Sequence, residues 1–297
     1  MLFRLENRLM ELWSICDFLN PGLLGSAGDF IRRFTIDGRA TPLLKRFVAP
    51  LVLRRVKRDV LEELPEKTEI TIPVELGETE RAGYEACRRM ALATLAADGA
   101  ENRISILAEL TRLRRYCCHP SLVTGEAGCV SAKMDALVEL LGNLRDNGHR
   151  ALVFSQFTDY LAIVRKMVEA QGWTLQYLDG STPAAERERL VEAFQRGEGD
   201  FFLISLKAGG TGLNLTAANY VILLDPWWNP AVENQAADRV HRIGQKNPVT
   251  VYRLIASDTM EERVIELHRE KKALSEDLLG GAGSAALTPE QLMALFR

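Results

Sequence analysis

The chain lacks three things that would have settled its class at once: a cysteine framework, a long apolar run and a surplus of positive charge. Its five cysteines, Cys16, Cys87, Cys117, Cys118 and Cys129, show no CxxC spacing. An odd count without paired spacing argues against a disulfide-stapled fold and for reduced thiols. Cys117-Cys118-His119 has no second half, so it does not supply the four ligands of a structural zinc site, and no metal site is expected. No apolar stretch approaches the roughly 20 residues of a membrane span, and no basic and apolar leader opens the sequence. A soluble, cytoplasmic protein is therefore expected, with no membrane partner. Lys and Arg total 37 against 40 Asp and Glu, a net charge of −3. That excludes a uniformly basic surface, so any polyanion must be met locally.

Local basic clusters do exist. Lys45, Arg46, Arg54, Arg55, Lys57 and Arg58 fall in one short span without an acid, and Arg112, Arg114 and Arg115 form a second group. Such runs are more often solvated faces than phosphate contacts. With 297 residues, 47% of them hydrophobic, the chain has enough apolar material for one large or two ordinary domains.

The pattern is helix-rich at first and alternates between strands and helices later. Leu5 to Leu19 is amphipathic and stops at Asn20-Pro21-Gly22. Helical patterns over Glu78 to Ala97 and Arg103 to Cys118 flank Asp98-Gly99. Ser131 is placed to cap a helix over Ala132 to Asn147. Then follow strand Ala151 to Ser155, helix Thr158 to Gln171, strand Thr174 to Leu178, helix Pro183 to Arg196 and strand Phe201 to Ser205. Strand Tyr220 to Leu224, helix Ala231 to His241, strand Val249 to Ile255 and helix Met260 to Leu278 complete the alternation. Apolar strands joined by crossover helices predict a parallel sheet covered on both faces, an α/β fold. Ligands of such sheets bind at the carboxyl ends of the strands. That edge would carry Ser155, Asp179-Gly180-Ser181, the Ala208 to Asn214 loop and Asp225.

Two stretches carry chemistry. In QAADRVHRIGQ, Gln235 to Gln245, a helix would place Gln235, Arg239 and Arg242 at i, i+4 and i+7 on one face. Two guanidiniums there suit phosphate oxygens, although a solvated basic stripe explains the run alone equally well. Upstream, Ala208 to Asn214 is a glycine-rich loop after a buried strand, where backbone N–H groups can converge on an anion. Leu215 stands where a dinucleotide fingerprint needs its third glycine, and no GK[ST] follows. Taken singly, the loop reads as a plain tight turn. Trp227 and Trp228, beside a proline, are read either as packing or as stacking groups.

In unbroken order these elements resemble the second ATPase lobe of the Swi/Snf-type helicase-like DNA translocases. LVFSQF (Leu152 to Phe157) is similar to that family's fourth motif and YLDGSTPAAERERLVEAF (Tyr177 to Phe194) to the element that follows. LISLKAGGTGLNL (Leu203 to Leu215) resembles the fifth motif and QAADRVHRIGQ the sixth. LVLRRVKRDVLEELPEK (Leu51 to Lys67) and LTRLRRYCCHPSLV (Leu110 to Val123) resemble segments that join the lobes. The likeness covers roughly residues 5 to 280.

The resemblance implies a RecA-like three-layer lobe, mainly parallel, over 131–280, preceded by a first-lobe tail and connection over 1–68 and a helical protrusion over 69–130. A linker and short helix would follow over 281–297. It implies Arg242 as an arginine finger with Arg239 beside it, and Gln235, Gly210, Gly212 and Asn214 at the nucleotide. Ser155, Gln156, Gly180, Ser181, Thr182, Lys207 and Gly209 would meet the backbone of duplex DNA. ATP with Mg²⁺ is the implied cofactor, bound mainly by a first lobe, because neither a phosphate loop nor an acidic Mg²⁺ motif occurs in these residues. LENRLMELWSICDFLNP (Leu5 to Pro21) resembles the tail of that lobe, so a C-terminal half unable to hydrolyse ATP alone is expected. The competing expectation is a non-catalytic DNA- or partner-binding module with the same fold. RNA polymerase and other DNA-associated proteins are the candidate protein partners, with nucleoid association in a bacterium.

Overall fold

Runs such as ALVFS and FFLIS are apolar at every position, which suits strands with no solvent face. In the computed structural model, which describes residues 9–36, 39–51, 64–98, 102–126, 128–208, 213–227, 230–277 and 289–296, both are fully buried. Two units form. One draws on residues 1–62 and 270–287, the other on 63–269 and 288–297.

The first unit holds α1 (Leu9–Leu19), α2 (Ala27–Phe34), the short hairpin of β1 (Thr35–Ile36) and β2 (Arg39–Ala40), α3 (Pro42–Val48) and a 3-10 turn (Ala49–Leu51). Ser26 caps α2, its Oγ accepting from Asp29 N at 3.2 Å. Cys16, Leu24, Phe30, Phe34 and Leu44 form a small core. Trp13 packs against it and donates from Nε1 to Gly25 O at 3.0 Å. Of the first basic cluster, Arg46 is exposed; Arg54, Arg55, Lys57 and Arg58 lie outside the described residues, as do residues 5–8 of the first predicted helix.

The second unit is built on a six-stranded, all-parallel sheet in the order β3-β8-β7-β4-β6-β5. Its strands are β3 (Lys67–Val74), β4 (Ala151–Ser155), β5 (Leu175–Leu178), β6 (Phe201–Ser205), β7 (Tyr220–Leu223) and β8 (Val249–Ala256). The helices are α4 (Glu78–Asp98), α5 (Arg103–Cys118), the single turn α6 (Ser121–Thr124), α7 (Ala132–Asp146), α8 (Thr158–Ala170), α9 (Ala184–Gln195), α10 (Pro230–Ala237), α11 (Met260–Asp277), of which residues up to Arg269 belong to this unit, and α12 (Pro289–Ala294). Strand side chains alternate between two cores. Leu152, Phe154, Phe202, Ile204, Val221 and Leu223 meet Phe194 of α9 and Ala236 and Ala237 of α10. Ala151, Val153, Phe201, Leu203 and Ile222 meet Leu137 and Leu141 of α7 and Tyr160, Leu161 and Val164 of α8. The result is the three-layer α/β, RecA-like lobe expected from the sequence.

Two elements differ from expectation. Residues 67–74 form an edge strand upstream of residue 131, a place where no strand was predicted. Its half-exposed polar positions disguise it, and pairing with β8 supplies the apolar neighbours that its own sequence does not advertise. The helix predicted over Ala231 to His241 ends at Ala237. Arg239 N and Val240 N bond three residues back, and Arg239 O accepts from Leu215 N at 3.1 Å instead of from a later helical amide. Arg239 and Arg242 therefore lie on a turn beyond the helix, not on one helical face with Gln235.

Around the sheet, α4 and α5 pack as an antiparallel hairpin, with Tyr84 and Tyr116 in ring contact at 6.3 Å between centroids. The last helix, α12, packs on α5, burying Leu292, Leu295 and Phe296. Arg88 Nη1 donates to Phe296 O at 2.8 Å. Among the described residues no helix is long and apolar enough to cross a membrane.

Candidate functional site

Parallel strands bring their carboxyl ends to one edge, and the register places Ser155 opposite Ser205, Leu178 opposite Ile204 and Phe154 opposite Leu223. The turns after β4, β5, β6 and β7 consequently emerge together. After β5, the Asp179 carboxylate organises a tight turn by accepting from Ser181 Oγ at 2.6 Å and Ser181 N at 2.8 Å. The Ser181 hydroxyl, more than any other group, holds that carboxyl below its usual range. Thr182 Oγ1 accepts from Asp179 N at 3.1 Å. This leaves Gly180 and Ser181 exposed, and after β6 Lys207 is exposed as well.

The turn after β4 faces inward. Ser155 is fully buried, and its hydroxyl donates to Asp225 Oδ1 and accepts from Phe157 N at 3.0 Å. Gln156 N donates to both Asp225 oxygens at 3.3 Å, and Gln156 Oε1 accepts from Arg114 Nη1 at 3.1 Å. Arg114 also donates to Pro226 O and stands 3.7 Å from Asp225 Oδ2. Burial raises the Asp225 carboxyl above the usual range, although Arg114 and Ser155 pull it back. The second basic cluster of the sequence thus separates on folding. Arg114 is buried, Arg115 pairs with Asp159 at 2.5 Å and Arg112 with Glu109 at 3.8 Å. Consecutive helix residues point about 100° apart, so a basic run need not make a basic patch.

Trp227 is packed against the core, with its backbone N–H donated to Glu233 Oε1 at 2.8 Å, while Trp228 lies outside the described residues. Glu233, on α10, is fixed by Arg253 Nε at 2.9 Å. Below the edge, Lys133 is fully buried, donating to Leu224 O at 3.1 Å and pairing with Glu261 at 2.5 Å. Burial pulls its ammonium pKa down, but the Glu261 carboxylate more than offsets this and the net shift is upward.

A second group gathers around residues 213–218, which lead into the amino end of β7. Leu215 N holds Arg239 O, and Arg242 Nη1 approaches Leu213 O at 3.5 Å. Gln195 Nε2 donates to Asn214 O at 3.0 Å, and Gln195 Oε1 accepts from Ala217 N at 2.8 Å. Gln245 closes the turn from within, donating to Ala218 O at 2.8 Å and Thr216 O at 3.2 Å. Gly244 permits this return with φ +98°. Arg239 is buried, Gln235 half-buried, and Arg242 and Asn214 exposed. Gly209, Gly210 and Gly212 lie outside the described residues.

Sequence reasoning missed Glu233, Arg253 and Gln195, and named Arg114 and Gln245 only as members of a basic group and of the QAADRVHRIGQ run. Only Gln245 carried a local signal, a glutamine after a glycine at the end of the motif. The others act across long sequence separations, such as the 112 positions between Arg114 and Pro226.

Comparison with known proteins fits this geometry. The SNF2-related domain matches residues 5–122 and the Helicase conserved C-terminal domain residues 132–244. The Bacillus subtilis protein YwqA, named as an ATP-dependent helicase/translocase, is 38% identical over 309 residues, covering 98% of this chain and 33% of its own length. The chain spans about a third of the curated relatives it matches. The Sulfolobus solfataricus SWI2/SNF2 ATPase C-terminal domain aligns with TM-score 0.62 and 31% identity, over 77% of this chain and 98% of that one. The ATPase core from the same organism, solved in complex with dsDNA, aligns with TM-score 0.63 and 34% identity over 95% of this chain and 62% of its own. These matches and the all-parallel lobe place the chain in the Swi/Snf-type family of helicase-like ATPases.

Proposed function

We propose that this chain is the part of an ATP-dependent duplex-DNA translocase that grips the DNA backbone and presents arginine to a nucleotide held by a first lobe. The observation that carries it is the division of the site into two groups joined by one segment. Lys207 is exposed at the carboxyl edge, and a few residues later Leu213 and Leu215 lie against the turn bearing Arg239 and Arg242.

At the edge, Gly180, Ser181, Thr182, Lys207 and Gly209 would meet phosphate oxygens, contacts that position a protein without reading sequence. Ser155 and Gln156 would support that surface from beneath, since their polar groups are directed inward. The dsDNA complex of the Sulfolobus neighbour supports this choice of ligand. In the second group, Arg242 would act as the finger that stabilises charge on the transferring phosphoryl group, a contribution of about 10³–10⁵ in rate. Arg239 would seat it, Gln235 would orient the nucleotide, and Gly210, Gly212 and Asn214 would connect nucleotide to DNA.

The residues present fit phosphate and not the metal. Arg242 offers an exposed guanidinium, whereas Asp225 is held by Ser155 and Arg114 and Glu233 by Arg253. Mg²⁺ and most of the ATP are accordingly assigned to the first lobe. The 297-residue chain should bind duplex DNA of unrelated sequences equally, with affinity falling steeply as salt rises, and should show no DNA-stimulated ATPase. Strong sequence preference, salt-insensitive binding or robust turnover by the pure chain would overturn the reading.

A further inference from the structure

One buried cation is shared by two turns of the carboxyl edge. Arg114, on α5, is 2% exposed. Its Nη1 donates to Gln156 Oε1 at 3.1 Å, in the turn after β4, and its Nη2 donates to Pro226 O, in the turn after β7. The guanidinium carbon stands 5.5 Å from the Phe157 ring centroid and 5.9 Å from that of Trp227. Asp225 completes the arrangement by accepting from Ser155 Oγ and Gln156 N while facing Arg114. The turn after β7 continues, through the 2.8 Å bond from Trp227 N to Glu233, into α10, the helix that carries Gln235.

A fully desolvated arginine is a costly way to fill space, and an apolar residue of similar volume would pack there without an ion pair. What a guanidinium adds is a planar fork whose donors are fixed relative to one another, so groups bound to it are held in register. We infer that Arg114 is a positioning residue that locks the turn after β4 to the turn after β7, thereby fixing the surface that carries the DNA contacts relative to α10. The inference rests on the reading of this edge as the DNA face. It assigns a role to a residue that touches neither ligand.

The test compares the full chain with an Arg114→Met/Asp225→Asn double variant, which removes both charges at once and strands neither. Arg114→Lys is the second variant, keeping the charge and losing the fork. Amide hydrogen exchange and duplex-DNA affinity by fluorescence anisotropy are measured for each, with Lys207→Ala as the control for the interface. The expected result is exchange at least tenfold faster at Phe157 and Trp227, unchanged exchange across Leu152–Phe154, and DNA binding weakened about tenfold in both variants. Unchanged exchange at the two turns, or unchanged affinity beside a weakened Lys207→Ala, would overturn the inference. Unchanged affinity in Lys207→Ala would remove the DNA reading of this edge and the inference with it.

Discussion

At the scale of residues, the most exposed consequence of the packing is the Lys133–Glu261 pair. Both side chains are fully buried, and Glu261 Oε2 also accepts from Ala256 N at 2.9 Å. Removing one partner strands the other charge, which costs about 3–5 kcal/mol. Lys133→Met should therefore lower unfolding stability by about that amount in urea titration, while an exposed substitution such as Lys207→Ala should leave it nearly unchanged. Close by, burial raises the thiols of Cys117 and Cys118 and the phenol of Tyr160 above their usual ranges. A native group that holds its proton more tightly than the unfolded chain does contributes stability below its unfolded pKa and loses it as pH rises beyond. For a thiol that loss begins near about 8.5. The melting temperature should fall progressively above that pH, and Cys117→Ala with Cys118→Ala should flatten the fall. An identical slope in the double variant would remove the thiols as its cause.

Elements show what was legible in the sequence and what was not. The apolar runs Ala151–Ser155 and Phe201–Ser205 and the N-cap Ser131 could be read directly, because strand burial and capping are written into neighbouring residues. Strand β3 was hidden because an edge strand with Glu69 and Pro73 lacks the apolar continuity of its neighbours. The early end of α10 was hidden because the competing acceptors and donors come from residues 213–218 and from Gln245, a tertiary override of helical pattern. The candidate site was legible as a set of exposed edge positions. The contacts of its inward half were not, since no local spacing links Arg114 to Pro226, 112 positions away. The α4–α5 hairpin offers an element-scale test. A Cβ on Gly83 would stand 2.0 Å from the Tyr116 hydroxyl, which donates to Glu80 O. Gly83→Ala should force the helices apart and destabilise the unit by about 1–3 kcal/mol. Circular dichroism melts would show it, and restoration by Tyr116→Phe would identify the hydroxyl as the obstacle.

For the whole molecule, a net charge of −3 confines the proposed DNA contacts to a local surface such as the edge that exposes Lys207. Its membership of the Swi/Snf-type family of helicase-like ATPases is the frame for the proposed function. The proposed division of labour is that DNA is held at the carboxyl ends of the strands and the nucleotide is completed from the turn beyond α10. That division makes Arg242 separable from DNA binding, because its guanidinium neighbours Leu213 and not the turns after β4 and β5. The most direct measurement is DNA-stimulated ATP hydrolysis by a two-lobed form of this protein carrying Arg242→Ala, assayed beside its affinity for duplex DNA. Turnover should fall by about 10³ or more with DNA affinity largely kept. Turnover that survives the substitution would contradict the account.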